Sequence, residues 1–205
     1  MIHQVNIWSS WLRIIHGVFI LSLIALFLSG WLISQPVFAE NMLVTMSHQV
    51  SSTFVGVFLV IRILLLFIGK GAENLKSFFD QGDKLMKTNE LLAFYFSLGK
   101  RPLPNWHSKP ALWSVLYLVM FVLIALLLFT GVMQNEQDRL LGIRLFDSHL
   151  ELASWLGYLV IFHIASSVLH DVKSLNSNVS AMLNGHRNIQ VEERKNAGIE
   201  VKFHK

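Results

Sequence analysis

The chain has 205 residues, of which 53% are hydrophobic and 15% charged, whereas an ordinary soluble domain is about 25% charged. It contains no cysteine, which excludes disulfides, iron–sulfur clusters and thiolate zinc sites, so any metal or cofactor must be held by His, Met or oxygen donors. The formal net charge of +4 does not indicate a nucleic-acid partner, because the basic residues lie in particular connections of a lipid-facing chain.

Taken in chain order, the first apolar window covers 11–33. Residues 1–40 admit a second reading as a secretory leader, with GVFILSLIALFLSG as its apolar stretch and PVFA before Glu40 as a small-residue cleavage site. The length of the run and the lack of a basic cluster ahead of it favour a retained span. Further windows follow at 48–69, 111–133 and 149–170, each near the ~20 residues that cross ~30 Å of hydrocarbon. In lipid the backbone must satisfy its own hydrogen bonds, so these windows are expected to be helices. The expected fold class is all-α: an integral membrane four-helix bundle over 1–180, with a tail over 181–205.

Between the second and third windows, NLKSFFDQGDKLMKTNELLAFYFSLG has helical spacing and mixed charge, as an interfacial helix would. KRPLPNWHSKP follows, and its prolines favour an extended approach to the third span. After the fourth window, VKSLNSNVSAMLNGHR reads as a surface helix and the last fifteen residues as flexible. Lysine and arginine crowd the 70–109 connection and the tail, whereas 34–47 has none and 134–148 has only Arg139 and Arg144. The positive-inside rule therefore places both termini in the cytoplasm.

Ionisable residues within a span are costly and read by default as functional. Arg13, His16, Arg62, His149 and His163 lie within the windows, with His48 and His170 at their edges. His149, His163 and His170 are 14 and 7 residues apart, close to whole helical turns, so they share one face at rises of about 21 Å and a further 10 Å. Depth then selects pairs. His48 and His149 both lie at the periplasmic edge, while His16 is about 9 Å from the cytoplasmic edge, near the level of His163 about 21 Å down a ~30 Å core. His170 reaches the cytoplasmic boundary and has no evident partner within the membrane.

Two bis-histidine pairs in a cysteine-free bundle are the arrangement expected for two b-type haems. Arg62, 14 residues after His48, and Arg13, one turn from His16, would meet anionic propionates at the inner site. Three other readings compete: hydrogen-bonded packing histidines, a His-based metal or proton transporter, and a structural membrane anchor. Transport would call for carboxylates at mid-depth, and the span centres carry none.

WLRIIHG in the first span, SHQVSSTFVGVFLVIRILL in the second and the H-x13-H spacing of HLELASWLGYLVIFH in the fourth resemble the bacterial cytochrome b561 superfamily. That superfamily includes the cytochrome b subunits of nickel–iron hydrogenase, formate dehydrogenase and thiosulfate reductase. The resemblance implies a diheme cytochrome b, with His48 and His149 holding the outer haem and His16 and His163 the inner one. It places His170 near the inner haem and an expected quinone pocket. Gly17 stands where the family's first helix usually has Trp after the histidine. NWHSKPALW and SAMLNGHR resemble the hydrogenase-type branch. The implied function is electron transfer across a bacterial inner membrane between a periplasmic redox protein or enzyme subunit and quinone, in a form compatible with a homo-oligomer. The alternative within the family is a stand-alone superoxide:quinone oxidoreductase, in which Arg139 and Arg144 would attract the anion.

Overall fold

In the computed structural model of the protein, the described residues are 2–6, 10–68, 75, 84–101, 111–174, 179, 182, 184–193 and 199–201. They form helices α1 (Ser10–Ile33), α2 (Met42–Ile68), α3 (Lys84–Phe96), α4 (Ala111–Met133) and α5 (Leu145–Ser174). Four stretches are long and apolar enough to cross a membrane: Ser10–Ile33, Met42–Ile68, Leu112–Met133 and Leu145–Lys173. The all-α membrane class expected from composition is what the chain adopts. On α4, Val115, Val119, Val122, Leu126 and Phe129 recur at alternating steps of four and three and are all exposed. Such a stripe faces lipid in a membrane helix, the inverse of the rule for a helix in water.

Two helices begin earlier than their hydropathy windows. Asn41 caps α2, its Oδ1 accepting from the backbone N–H groups of Leu43 at 3.0 Å and Val44 at 3.2 Å. The start of α5 is set by a hairpin of β2 (Arg139–Leu140) and β3 (Ile143–Arg144), whose turn residues Leu141 (φ 51°) and Gly142 (φ 83°) both take the left-handed conformation a primed turn requires. The Arg144 guanidinium then donates to Asp147 at 2.8 and 3.0 Å, in the first turn of α5, where negative charge complements the helix dipole. His48 and His149 consequently lie inside helices and not at their edges.

The chain divides into two compact units, one of Ile14–Ser77 and Leu116–Leu159, the other of Met1–Arg13, Phe78–Val115 and Val160–Lys205. In the first, segments of the four long helices close a circuit. Ser29 of α1 meets His48 of α2; a Cβ on Gly56 of α2 would stand 3.6 Å from Leu128 of α4. Thr130 of α4 meets His149 of α5, and a Cβ on Gly157 of α5 would stand 3.5 Å from Phe27 of α1. The absence of side chains at Gly56 and Gly157 lets helices approach closely, as is common in membranes.

The second unit holds α3, the expected interfacial helix, which ends in a Schellman-type turn. Gly99 N–H bonds Phe94 O at 2.9 Å and Leu98 N–H bonds Tyr95 O at 2.9 Å. Leu91 and Phe94 are fully buried. The same unit contains a three-stranded antiparallel sheet, ordered β1 (Ile2–Asn6), β4 (His186–Glu193), β5 (Ile199–Val201). Within the last fifteen residues, expected to be flexible, the described 191–193 and 199–201 are paired strands, Val191 with Val201 and Glu193 with Ile199, and the other nine lie outside the described residues. The polarity of the tail hid an alternation of apolar and polar residues in NIQVEE and IEV that suits a strand. The proline-rich approach, the first half of the interfacial segment and most of the surface helix expected after Ser174 lie outside the described residues.

Candidate functional site

The α1–α2–α4–α5 circuit places α2 and α5 on a diagonal, and on that diagonal His48 and His149 face each other. Their ring centroids are 6.3 Å apart with an interplanar angle of 62°. Each ring is held in the same way. His48 Nδ1 lies 2.9 Å from Ser29 Oγ, and a Cβ on the adjacent Gly30 would stand 3.3 Å from His48 Cε1. His149 Nδ1 lies 2.9 Å from Thr130 Oγ1, and a Cβ on Gly131 would stand 3.3 Å from His149 Cε1. In both cases the hydroxyl precedes the imidazole by 19 residues. A hydroxyl followed by glycine thus forms a notch for each ring.

The unit containing α3 assembles a second cluster. The Tyr95 hydroxyl lies 2.6 Å from His170 Nε2 and accepts the indole Nε1–H of Trp113 at 3.1 Å. Phe94 meets the His170 ring edge-on at a centroid distance of 5.6 Å. Trp113 stacks on Phe162 at 5.8 Å and 21° and meets His163 edge-on at 5.6 Å. Gly99 allows α3 to lie against α5, because a Cβ there would meet Lys173 Cε at 2.8 Å and Leu169 Cδ1 at 3.2 Å. His170, for which the spans offer no evident partner, thus has one outside them. Its partner comes from α3, which depth matching among the four spans leaves out of account.

The remaining candidates are spread over α1, α2 and α5. His16 is half-buried in the second turn of α1, and Arg13 Nη2 donates to Ser10 Oγ at 3.0 Å at the start of that helix. Arg62 is half-buried on α2, where its charge reaches Tyr117 of α4. His163 is half-buried on α5, its carbonyl accepting from the hydroxyls of Ser166 at 2.9 Å and Ser167 at 2.8 Å. Ser29, Thr130, Tyr95 and Trp113 were not singled out from sequence. The repeated pairing of a hydroxyl and a glycine 19 residues ahead of a span histidine was the available signal for the first two.

Two opposed imidazoles suit an ion whose other coordination positions are filled by a macrocycle. A metal–imidazole bond of about 2 Å, with about 1 Å more to the ring centroid, separates two trans rings on one ion by roughly 6 Å, and 6.3 Å is observed. A bare ion wants about four protein donors, and among the described residues no group of three or more His, Asp or Glu converges. Fold and site together define a helical membrane protein with imidazoles paired across its helices, of the kind that holds haem. The profile of the prokaryotic cytochrome b561 family matches residues 7–185, and the chain belongs to that family. It is a membrane cytochrome b that binds haem b and takes part in electron transfer. No curated protein and no solved structure gives a significant match to the chain.

Proposed function

We propose that the chain is a diheme cytochrome b that carries electrons across the bacterial inner membrane between a periplasmic redox protein or enzyme subunit and the quinone pool. The observation that carries this reading is the opposition of His48 and His149 at the separation that one coordinated ion requires. These two residues hold the outer haem. His16 and His163 hold the inner one, supported by the matching helical rise along α1 and α5 and by family membership. Arg13 and Arg62 neutralise propionates on the inner side. Haem b, when bound, supplies a one-electron couple whose potential is set by its axial ligands and their surroundings.

The residues around that couple place, orient and insulate it. Ser29 and Thr130 aim the outer imidazoles, which are half-buried between the helices. Both termini face the cytoplasm in this reading, which the distribution of Lys and Arg supports. The quinone site is the cluster of Tyr95, Trp113 and His170, where a hydroxyl and an imidazole lie 2.6 Å apart and can bind a carbonyl or pass a proton. The superoxide alternative is weakened because Arg144 is engaged by Asp147 at 2.8 Å and so offers an incoming anion less charge. A pyridine haemochrome count on the purified chain tests the reading. Two haems per chain are expected, and a chain that purifies folded with none would overturn it.

A further inference from the structure

We propose that Ser29 and Thr130 are positioning residues that fix both outer imidazoles as the Nδ1–H tautomer and set the potential of the group they hold. The proposal rests on the assignment of His48 and His149 as a haem pair. A hydroxyl has one proton and two lone pairs. The Ser29 hydroxyl donates to Ala25 O at 2.6 Å, with Leu26 O at 3.2 Å. The Thr130 hydroxyl donates to Leu126 O at 2.9 Å, with Leu127 O at 3.1 Å. Each hydroxyl is thus placed to give its proton to a carbonyl of its own helix. The lone pair that remains faces the imidazole, and the backbone carbonyls of Leu26 and Leu127 also lie within hydrogen-bond reach of the two rings, so His48 and His149 are placed to donate their Nδ1–H across 2.9 Å.

The other tautomer would make each hydroxyl turn its proton away from its helix carbonyl and would leave the carbonyl of Leu26 or Leu127 without the ring N–H, at residues that are almost wholly buried. Each Nε2 therefore carries the free lone pair that a ligand needs, and each ring is aimed before any iron arrives. The acceptor is a neutral hydroxyl and not a carboxylate, so it adds only modest electron density to the imidazole. Removing it should make the ligand less donating and favour the reduced iron.

The test is a redox titration, followed by visible spectroscopy, of the haem-loaded chain and its Ser29→Ala and Thr130→Val variants. Ser29→Thr and Thr130→Ser serve as conservative partners. The expected result is that one of the two haem potentials rises, shifting its oxidised-to-reduced ratio about threefold, or about 30 mV at about 59 mV per tenfold for one electron. The other potential stays, and the conservative variants restore the first. Loss of one haem from Ser29→Ala and Thr130→Val, with retention in the conservative variants, supports the same assignment. Unmoved potentials at full haem content in both variants overturn it. Haemochrome counts on His48→Ala and His149→Ala keep the two readings apart. If both retain the wild-type content, the haem pair fails and the proposal with it; if each loses one haem while the Ser29 and Thr130 variants do not respond, only the positioning role fails.

Discussion

The Tyr95 hydroxyl stands 2.6 Å from Nε2 of His170 and, on its other side, accepts the indole N–H of Trp113 at 3.1 Å. With Trp113 donating to the phenol oxygen, the phenolic proton is available to an unprotonated Nε2 of His170. A phenol and an imidazole thus share a short hydrogen bond. Replacing Tyr95 by Phe removes that proton and leaves the ring contacts intact. The expected outcome is a full complement of haem with quinone reduction slowed on the order of tenfold to a hundredfold, the range for loss of a positioned acid or base. His170→Ala should do the same. Steady-state assays with a soluble quinone analogue, set beside a haem count, check this. Unchanged turnover in both variants would show that the cluster only packs α3 against α5.

The histidines divide by what their loss should cost. His48→Ala and His149→Ala each open the same coordination sphere, so each should remove one haem, and the double variant should remove no more than either alone. His16→Ala and His163→Ala should remove the other haem. His170→Ala should remove neither, because its ring is taken by Tyr95 and Phe94. Haemochrome counts across this series check the pairing, and an additive loss in the His48/His149 double variant would break it.

The membrane spans and the outer pair were legible in the sequence because both depend on simple periodic geometry. Hydropathy marks the spans, and a 1.5 Å rise per residue puts His48 and His149 at one level. The beginnings of α2 and α5 were not legible from hydropathy, since Asn41 and the β2–β3 hairpin act through hydrogen bonds and backbone conformation. The Tyr95–His170 contact was missed for a different reason: the two residues are 75 positions apart, and α3 reaches α5 through a close approach at Gly99 that no periodicity announces. The strands β4 and β5 were hidden by polarity, which masks alternation when most residues are charged or amide-bearing.

A cysteine-free chain makes topology easy to test. Gln35 is on the connection from α1 to α2, which carries no Lys or Arg, and Lys100 is on the connection from α3 to α4, which is rich in them. Gln35→Cys should react with a membrane-impermeant maleimide in intact spheroplasts, whereas Lys100→Cys should react only after the membrane is opened. The reverse pattern would invert the chain and with it the outer and inner labels of the two sites.

The glycines at the two notches should be more sensitive than others on the same helices. A Cβ at Gly30 or Gly131 would stand 3.3 Å from the Cε1 atom of His48 or His149, so the ring must yield by a few tenths of an ångström. Both rings are wedged against a hydroxyl 2.9 Å away and cannot yield without lengthening that bond. Gly30→Ala and Gly131→Ala should therefore lose about 1 kcal/mol, the typical net worth of such a hydrogen bond, which offsets the helix-propensity gain of alanine, so the thermal stability of the detergent-solubilised chain should stay near that of the parent. They should also move the α-band of one haem. Gly17, on α1, has nothing within 4 Å of its would-be Cβ. Gly17→Ala should leave the spectrum unchanged and gain up to about 1 kcal/mol from the better helix propensity of alanine. A melt and a difference spectrum on the three variants decide the matter, and an equal response from all three would mean that the notches hold the rings no more closely than the rest of the helix surface does.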